Sequence, residues 1–318
     1  MKRFWNVLVA ALALALAVPA QAWPTRPVRM IVPFPAGGTM DILARQLGQE
    51  VSKANGQPFV VENKPGAGTV IGVETAARAT DDHTFVMVAN SFTVNATLVK
   101  NLPYDTLKDL QPVVLVAHTA NVLAGHPKVP ASNMQELVAY AKKNPGKLSY
   151  ASFGNGTTAH FAGEMLKLMA GIDLVHVPYK GQLPGMNDVI AGRVDLMFGN
   201  LPEFLPQIRA GKLKAFGTTY PKRAKLAPGI PTIAEQGFMG FSTDSWYGII
   251  APAALPEAAV RRMNAEVNQA LADPALAESH DARGLDRIGG GVEEFAAHLR
   301  SEISKYAKIV KDANIRID

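Results

Sequence analysis

Two hydrophobic periods trade places along this chain. Short, nearly continuous apolar runs, the mark of buried strands, alternate with segments whose apolar residues recur every three or four positions, the mark of amphipathic helices. Val28–Val32 reads as a buried strand, and Met40, Leu43, Leu47 and Val51 then repeat at helical spacing until Asn55-Gly56 stops the helix. A strand at 59–61, a helix over about 70–79 and a strand at 84–88 follow, then two separate strands at 113–117 and 122–124. Ser132-Asn133-Met134-Gln135 has the form of a capping box and opens a helix ending near Asn144-Pro145-Gly146. Strands at 148–151, 174–177, 196–198 and 213–218 then alternate with helices, two of which cover 158–170 and 186–191. Thr232-Ile233-Ala234-Glu235 is a second capping box, closed by Gly237. A strand at 246–250 precedes a mostly helical end. There Pro256 suits the first turn of a helix whose Val260, Met263, Val267 and Leu271 share a face, and a last helix covers roughly 292–312. The alternation predicts an α/β protein with largely parallel sheets.

Three strand-to-helix joints carry glycine-rich loops: Pro35-Ala36-Gly37-Gly38-Thr39, Pro65-Gly66-Ala67-Gly68-Thr69 and Phe153-Gly154-Asn155-Gly156-Thr157. Such a loop bares backbone N–H groups at a helix N-terminus, where the dipole also favours negative charge. None of the three contains Lys, Arg or His. The expected ligand is therefore an anion held by main chain and hydroxyls, a small carboxylate recognised more than transformed. Tight turning alone is the structural alternative, since glycine tolerates φ > 0; recurrence at successive loops favours the anion. Phe34, at a strand end, is expected to line the pocket. Asp41 reads as a helix-start residue paired with Arg45 at i+4 and not as a ligand contact.

The ends and the composition narrow the class. Lys2 and Arg3, the apolar run Val7–Val18 and the Ala20-Gln21-Ala22 site read as an export signal, residues 1–22, cleaved after Ala22. The run falls short of the ~20 residues a spanning helix needs. There is no cysteine, hence no disulfide and no thiol for a lipid anchor, and the periplasm is the expected compartment. The mature length, 318 − 22 = 296 residues, suits two domains. Without Lys2 and Arg3 the formal charge falls from +5 to +3, and the remaining positive residues are scattered, which argues against nucleic acid. The seven histidines show no metal-ligand spacing, and no G-x-S-x-G, H-E-x-x-H or P-loop lysine is present. Gly154 to Ala159 fits G-x-G-x-x-A, but Asp173 precedes the next strand where a ribose-binding acid should end it. No cofactor and no metal are expected.

The ordered series of motifs resembles the periplasmic solute receptors of tripartite tricarboxylate transporters, the Bug proteins. The matching blocks are Arg26 to Phe34, Gly37-Gly38 with Asp41, Glu62 to Gly68, Asn101 to Asp105, and Tyr150-Ala151-Ser152 with Gly154, Gly156 and His160. Val177 to Gly181, Gly192 with Val194-Asp195, and Pro231-Thr232 with Ala234-Glu235 complete it. The resemblance implies a two-lobed periplasmic-binding-protein fold, type II-like, with the ligand cleft between lobes. It divides the chain into lobe 1 at 23–120, lobe 2 at 121–243 and the rest of lobe 1 at 244–318. It also implies a ligand set of Phe34, Ala36, Gly37, Gly38, Thr39, Gly66, Ala67, Gly68 and Thr69, with Ser91, Phe92 and Thr93. From the second lobe come Ser152, Gly154, Asn155, Gly156, Thr157, His160, Tyr179, Lys180 and Asn200. Thr69 stands where the family favours glycine, Tyr306 where it favours tryptophan, and Met40 and Phe92 sit beside the expected pocket. Trp246 and Tyr247 are read as bracing the hinge.

The implied function is that of a monomeric, non-enzymatic receptor. It would capture a di- or tricarboxylate, an acidic amino acid or an aromatic acid and deliver it to permease subunits driven by an ion gradient. Two alternatives stand beside it: an exported α/β enzyme acting on a small organic acid, and a ligand-presenting partner of a membrane sensor kinase.

Overall fold

The structure is a computed structural model that describes residues 23–312; the expected export signal lies outside the described residues. Its strands are β1 (Val28–Val32), β2 (Phe59–Asn63), β3 (Thr84–Ala89), β4 (Leu110–Gly125), β5 (Ser149–Ser152), β6 (Val175–Pro178), β7 (Leu196–Asn200), β8 (Lys214–Thr218), β9 (Asp244–Pro252) and β10 (Leu285–Gly289). Its helices are α1 (Thr39–Asn55), α2 (Val70–Ala77), α3 (Asn90–Leu98), α4 (Met134–Lys143), α5 (Thr158–Ala170), α6 (Gln182–Ile190), α7 (Leu201–Arg209), α8 (Glu257–Leu271), α9 (Pro274–Ala282) and α10 (Val292–Asp312).

The strands form two α/β lobes that share β4. In the first lobe the order is β2-β1-β3-β9-β4, with β10 on the far side of β4; in the second it is β6-β5-β7-β4-β8. Parallel pairs run β1 to β2 and β3 in one lobe and β5 to β6 and β7 in the other. An antiparallel strand is wedged between the third and fourth parallel strands of each lobe, β9 in the first and β4 in the second, and the first lobe adds β10, antiparallel to β4, at its edge. Apart from β10 the two halves repeat one topology, and the α/β, two-lobed expectation is met. β4 pairs with β9 through Thr119↔Ser245 and Ala120↔Asp244, then with β7 at Asn121↔Asn200 and β8 at Val122↔Thr218.

Side-chain alternation along each strand feeds a core on both sheet faces. In β1, Met30 joins Leu43, Leu47, Phe85 and Met263 on one face, while Ile31 joins Val86, Trp246 and Phe295 on the other. The second lobe repeats this with Tyr150, Leu166 and Phe198 on one side and Ala151, Val189, Met197 and Phe204 on the other. Each fully buried residue of this size contributes ~1.5–3 kcal/mol. α1 stops where expected: Gly56 turns left-handed at φ 73 and its N–H caps Ser52 O.

Several elements depart from the sequence reading. The two strands expected at 113–117 and 122–124 are one continuous β4. The first capping box is shifted by one residue. Asn133 Oδ1 accepts from Glu136 N at 2.8 Å, and Glu136 Oε2 accepts from Ser132 N at 2.8 Å. The second forms as read, Thr232 N to Glu235 Oε2 and Glu235 N to Thr232 Oγ1, both 2.9 Å, though it opens only a single 3₁₀ turn. Pro256 is the N-cap of α8 and lies outside its first turn. α3 and β10 are absent from the sequence reading, and α7 and α9 fall where it expects helices without giving their bounds.

Candidate functional site

The three glycine loops converge on the seam between the lobes, and each is built differently. In the first, Gly37 takes φ +87 and its N–H donates to Asp41 Oδ2 at 3.0 Å. Asp41 also accepts from Arg45 Nε at 3.0 Å and Asn63 Nδ2 at 2.9 Å, while Asn63 donates to Phe34 O at 3.0 Å. Burial pushes the Asp41 carboxyl up, but these donors together hold it below its ordinary value. Asp41 therefore braces the first loop and ties it to the end of β2. Thr39, the first residue of α1, donates its N–H (2.9 Å) and its hydroxyl to Glu203 Oε1, on α7 of the second lobe.

The second loop is a left-handed turn: Gly66 at φ 137 is followed by Ala67, Gly68 and Thr69 at φ 47, 60 and 83. A non-glycine residue there costs ~1–2 kcal/mol, more when β-branched. A glycine in place of Thr69 would relieve this conformational cost. Thr69 N closes onto Gly66 O at 3.0 Å, its hydroxyl lies 3.1 Å from Ser91 Oγ, and Asn95 Nδ2 donates to Gly68 O at 2.9 Å. Successive N–H groups in such a turn form an anion-binding concavity.

The third loop satisfies three of its backbone donors locally. Gly154 N meets Ser152 Oγ at 3.2 Å, Gly156 N meets His160 Nδ1 at 3.3 Å, and Thr157 N meets Gly154 O at 3.3 Å. It acts as a wall of the cleft more than as a donor set.

The cleft has two chambers that share Phe34, Phe153 and Thr157. The inner chamber, about 60 Å³, is lined by Phe34, Ala36, Gly38, Thr39, Ser91, Thr157 and Asn200 of the anticipated set. The outer, about 500 Å³, is lined by Gly66, Ala67, Gly68, Thr69, Gly154, Asn155, Tyr179 and Lys180 as well as Phe34 and Thr157. Lys180 is exposed at its rim. Tyr179 turns its hydroxyl to Asp188 Oδ2 at 2.6 Å, and burial and that carboxylate push the phenol up to about 12.

Six anticipated residues stand behind the lining. Gly37 faces Asp41 by its N–H. Phe92 is buried in the first-lobe core, stacked on Tyr104. Thr93 donates its hydroxyl to Asn90 O at 2.9 Å. Ser152 is fully buried, 2.7 Å from His176 Nε2, and His160 stacks on His176 at 4.3 Å between ring centroids. Gly156 abuts Asn95, whose Oδ1 would lie 3.0 Å from an added Cβ. Burial holds His160 at about 4 and, with His160 beside it, His176 at about 3. In the Ser152–His176 pair a fully buried hydroxyl therefore meets a half-buried imidazole that is a very weak base.

Sequence reasoning missed several lining residues: Asn90, Phe153, Thr158, Gln182, Leu183, Glu203 and Ser245. Tyr247, read as a brace, both lines the inner chamber and bonds Asn200, whose Nδ2 donates to its hydroxyl at 2.9 Å. Asn200 is the hub of the seam: its Oδ1 accepts from Asn121 Nδ2 at 2.8 Å and Ser245 Oγ at 2.9 Å, and Thr158 Oγ1 lies 2.9 Å from Ser245 Oγ. Among the described residues no group of three His, Asp or Glu side chains is arranged to hold a metal.

Comparison with known proteins gives this geometry its context. A family model described as "Tripartite tricarboxylate transporter family receptor" matches residues 43–315. Protein BugT of Bordetella pertussis is 32% identical, over 98% of this chain and 97% of its own length. A solved structure described as a periplasmic transporter is 42% identical with a TM-score of 0.89, covering 93% of this chain and 100% of that one. R. palustris Rpa4515, solved with adipate, is 33% identical with a TM-score of 0.89, covering 92% and 99%.

Proposed function

This chain belongs to the tripartite tricarboxylate transporter receptor family, and from that premise we propose that it captures its acid between the lobes and hands it to the membrane permease of such a transporter. It is a periplasmic carboxylate-binding receptor of the Bug type. The observation that carries the proposed site is the second loop. It holds two non-glycine residues in left-handed conformations at the wall of the outer chamber, strain that a binding role explains. The ligand carboxylate sits against Gly66 to Thr69, the first and third loops close over it, and the lobes draw together because both touch the ligand. The moving bodies are 23–120 with 244–318 and 121–243, a division supported by the change of β4 partners between Ala120 and Asn121. The export signal is removed after Ala22, and the receptor acts as a monomer without catalysis.

The test is a thermal-shift panel of mono-, di- and tricarboxylates, acidic amino acids and aromatic acids on refolded, ligand-free protein. A ligand at 100-fold its Kd adds ~2.7 kcal/mol. Silence across the whole panel would sink the reading. Loss of uptake in a deletion strain supports the permease as the receiver; loss of reporter induction with uptake intact would point to a sensor kinase.

A further inference from the structure

The two chambers differ in charge. Among the residues lining the inner chamber, Glu203 is the one carboxylic or basic side chain; in the outer chamber that place is taken by Lys180. The cleft thus runs from a cation at its rim to an acid at its inner end. Glu203 Oε1 already accepts both the N–H and the hydroxyl of Thr39, so the chain's own carboxylate occupies the donors at the start of α1. Among the described residues its second oxygen, Oε2, is buried and has no hydrogen bond of ordinary geometry, with the Gln182 side chain a polar neighbour that favours the charged form of the carboxyl. The chamber that Glu203 lines exposes apolar surface from Phe34, Met40, Phe153 and Leu183, with Gln182, Asn200, Ser245 and Tyr247 among its polar residues.

We propose that the ligand is a monocarboxylate whose apolar body ends in a hydrogen-bond donor, and that Glu203 selects it against dicarboxylates. This rests on the receptor reading above and narrows its ligand class. The single carboxylate lies in the outer chamber, against the left-handed loop and within the field of Lys180. The apolar stem fills the space between Phe34 and Phe153, and a hydroxyl, amide or ammonium group reaches Glu203. A buried acceptor without a donor is costly, and a ligand donor relieves that cost. A second carboxylate at the same place would set like charges together where water screens them poorly. Burial raises the Glu203 carboxyl, so the competing way to satisfy it is a proton.

Calorimetric titration of the ligand-free mature protein at neutral pH compares succinate, glutarate and adipate with their ω-hydroxy monocarboxylate counterparts. The expected result is that the best hydroxy acid binds at least ~10-fold more tightly than its matched dicarboxylate. Glu203→Gln keeps an oxygen for Thr39 and removes the charge, so it should bring the ratio to within about threefold, mainly by strengthening the dicarboxylate. A wild-type preference for the dicarboxylate, with proton uptake seen as buffer-dependent heat, would overturn the inference, since Glu203 would then be the donor. A hydroxy-acid preference left intact in Glu203→Gln would also overturn it. Should that variant fail to fold, the wild-type ratio still decides. If no acid of either series or of the wider panel binds, the receptor reading falls, and this inference with it.

Discussion

Gly68→Ala separates two consequences of one added methyl group. Gly68 sits at φ +60, and a Cβ there would lie 3.0 Å from the carbonyl oxygen of Asn155, on the other lobe. The left-handed conformation costs a non-glycine residue ~1–2 kcal/mol whether the lobes are open or closed. The lower freedom of the unfolded alanine chain offsets ~0.4–1 kcal/mol of that. A net loss of about 0.5–1 kcal/mol should lower Tm by ~1–4 °C in a chain of this size. The contact with Asn155 acts only when the lobes meet, and forcing that backbone aside costs about 1 kcal/mol or slightly more. Affinity for the best acid of the panel should therefore fall ~5–10-fold, with a smaller compaction by small-angle scattering at equal saturation. Gly38→Ala is the control. Its φ is −82 and nothing lies within 4 Å of the added Cβ, so Tm should stay within about 1 °C. Equal melting and equal affinity in the two variants would refute the claim that the second loop is both strained and pressed against the other lobe.

Three further outcomes follow from the same geometry. Asp41→Asn, which weakens the bonds to Gly37, Arg45 and Asn63, should cost ~1–2 kcal/mol in urea unfolding; a collapse in affinity with unchanged stability would make Asp41 a ligand contact instead. Asn200→Ala strips partners from Asn121, Ser245 and Tyr247 at once and should cost ~2–4 kcal/mol, read as a lower urea midpoint at unchanged slope. His160 and His176 stay neutral to about 4 and about 3, against an ordinary 6.5, so between those values the unfolded chain binds more protons than the folded one. Stability should accordingly be full above pH 6.5 and fall with acid through that window, and a His160→Gln, His176→Gln pair should flatten the slope.

What the sequence made legible is what had a local cause. The three loops stood out because a glycine pair between a strand period and a helix period leaves few other backbones. α1 was readable from Met40, Leu43, Leu47 and Val51 because one face meets core and the other water. α3 was not, because nearly all of Asn90–Leu98 is buried, which erases any polar face, and Ala89 gives no side-chain cap. The bounds of α7, a helix expected only from the alternation, were hidden by Pro202 and Pro206, although the first sits where a helix tolerates proline. Glu203 was lost with them. β4 looked broken because its polar stretch around His118 to Asn121 falls at the lobe boundary, where His118 meets Asp244 and Asn121 meets Asn200. The chambers themselves depend on contacts between residues far apart in the chain, such as Thr39 with Glu203, which no local period encodes.

β4 also sets a limit on how this chain can vary. A strand shows alternate residues to opposite faces, and β4 does so through the second lobe, whereas shifts of register against β9 at Val113 and Val116 break the alternation in the first. Val122 and Ala124 face one second-lobe core while Leu123 faces the other. The second-lobe half of β4 therefore sets which residues reach which core, while the first-lobe half, with Val113, Val114, Val116 and Ala117 in one core, has already absorbed two irregularities. Inserting one residue near Ala120 would turn every later side chain of β4 over and exchange the two second-lobe cores, while the first lobe stayed as it was. A two-residue insertion would restore the parity but slide β7 and β8 along the seam and carry Asn200 away from Asn121. Length changes in the second-lobe half of β4 should thus be far less tolerated than equal changes in the exposed turn at Gly237 to Gly240.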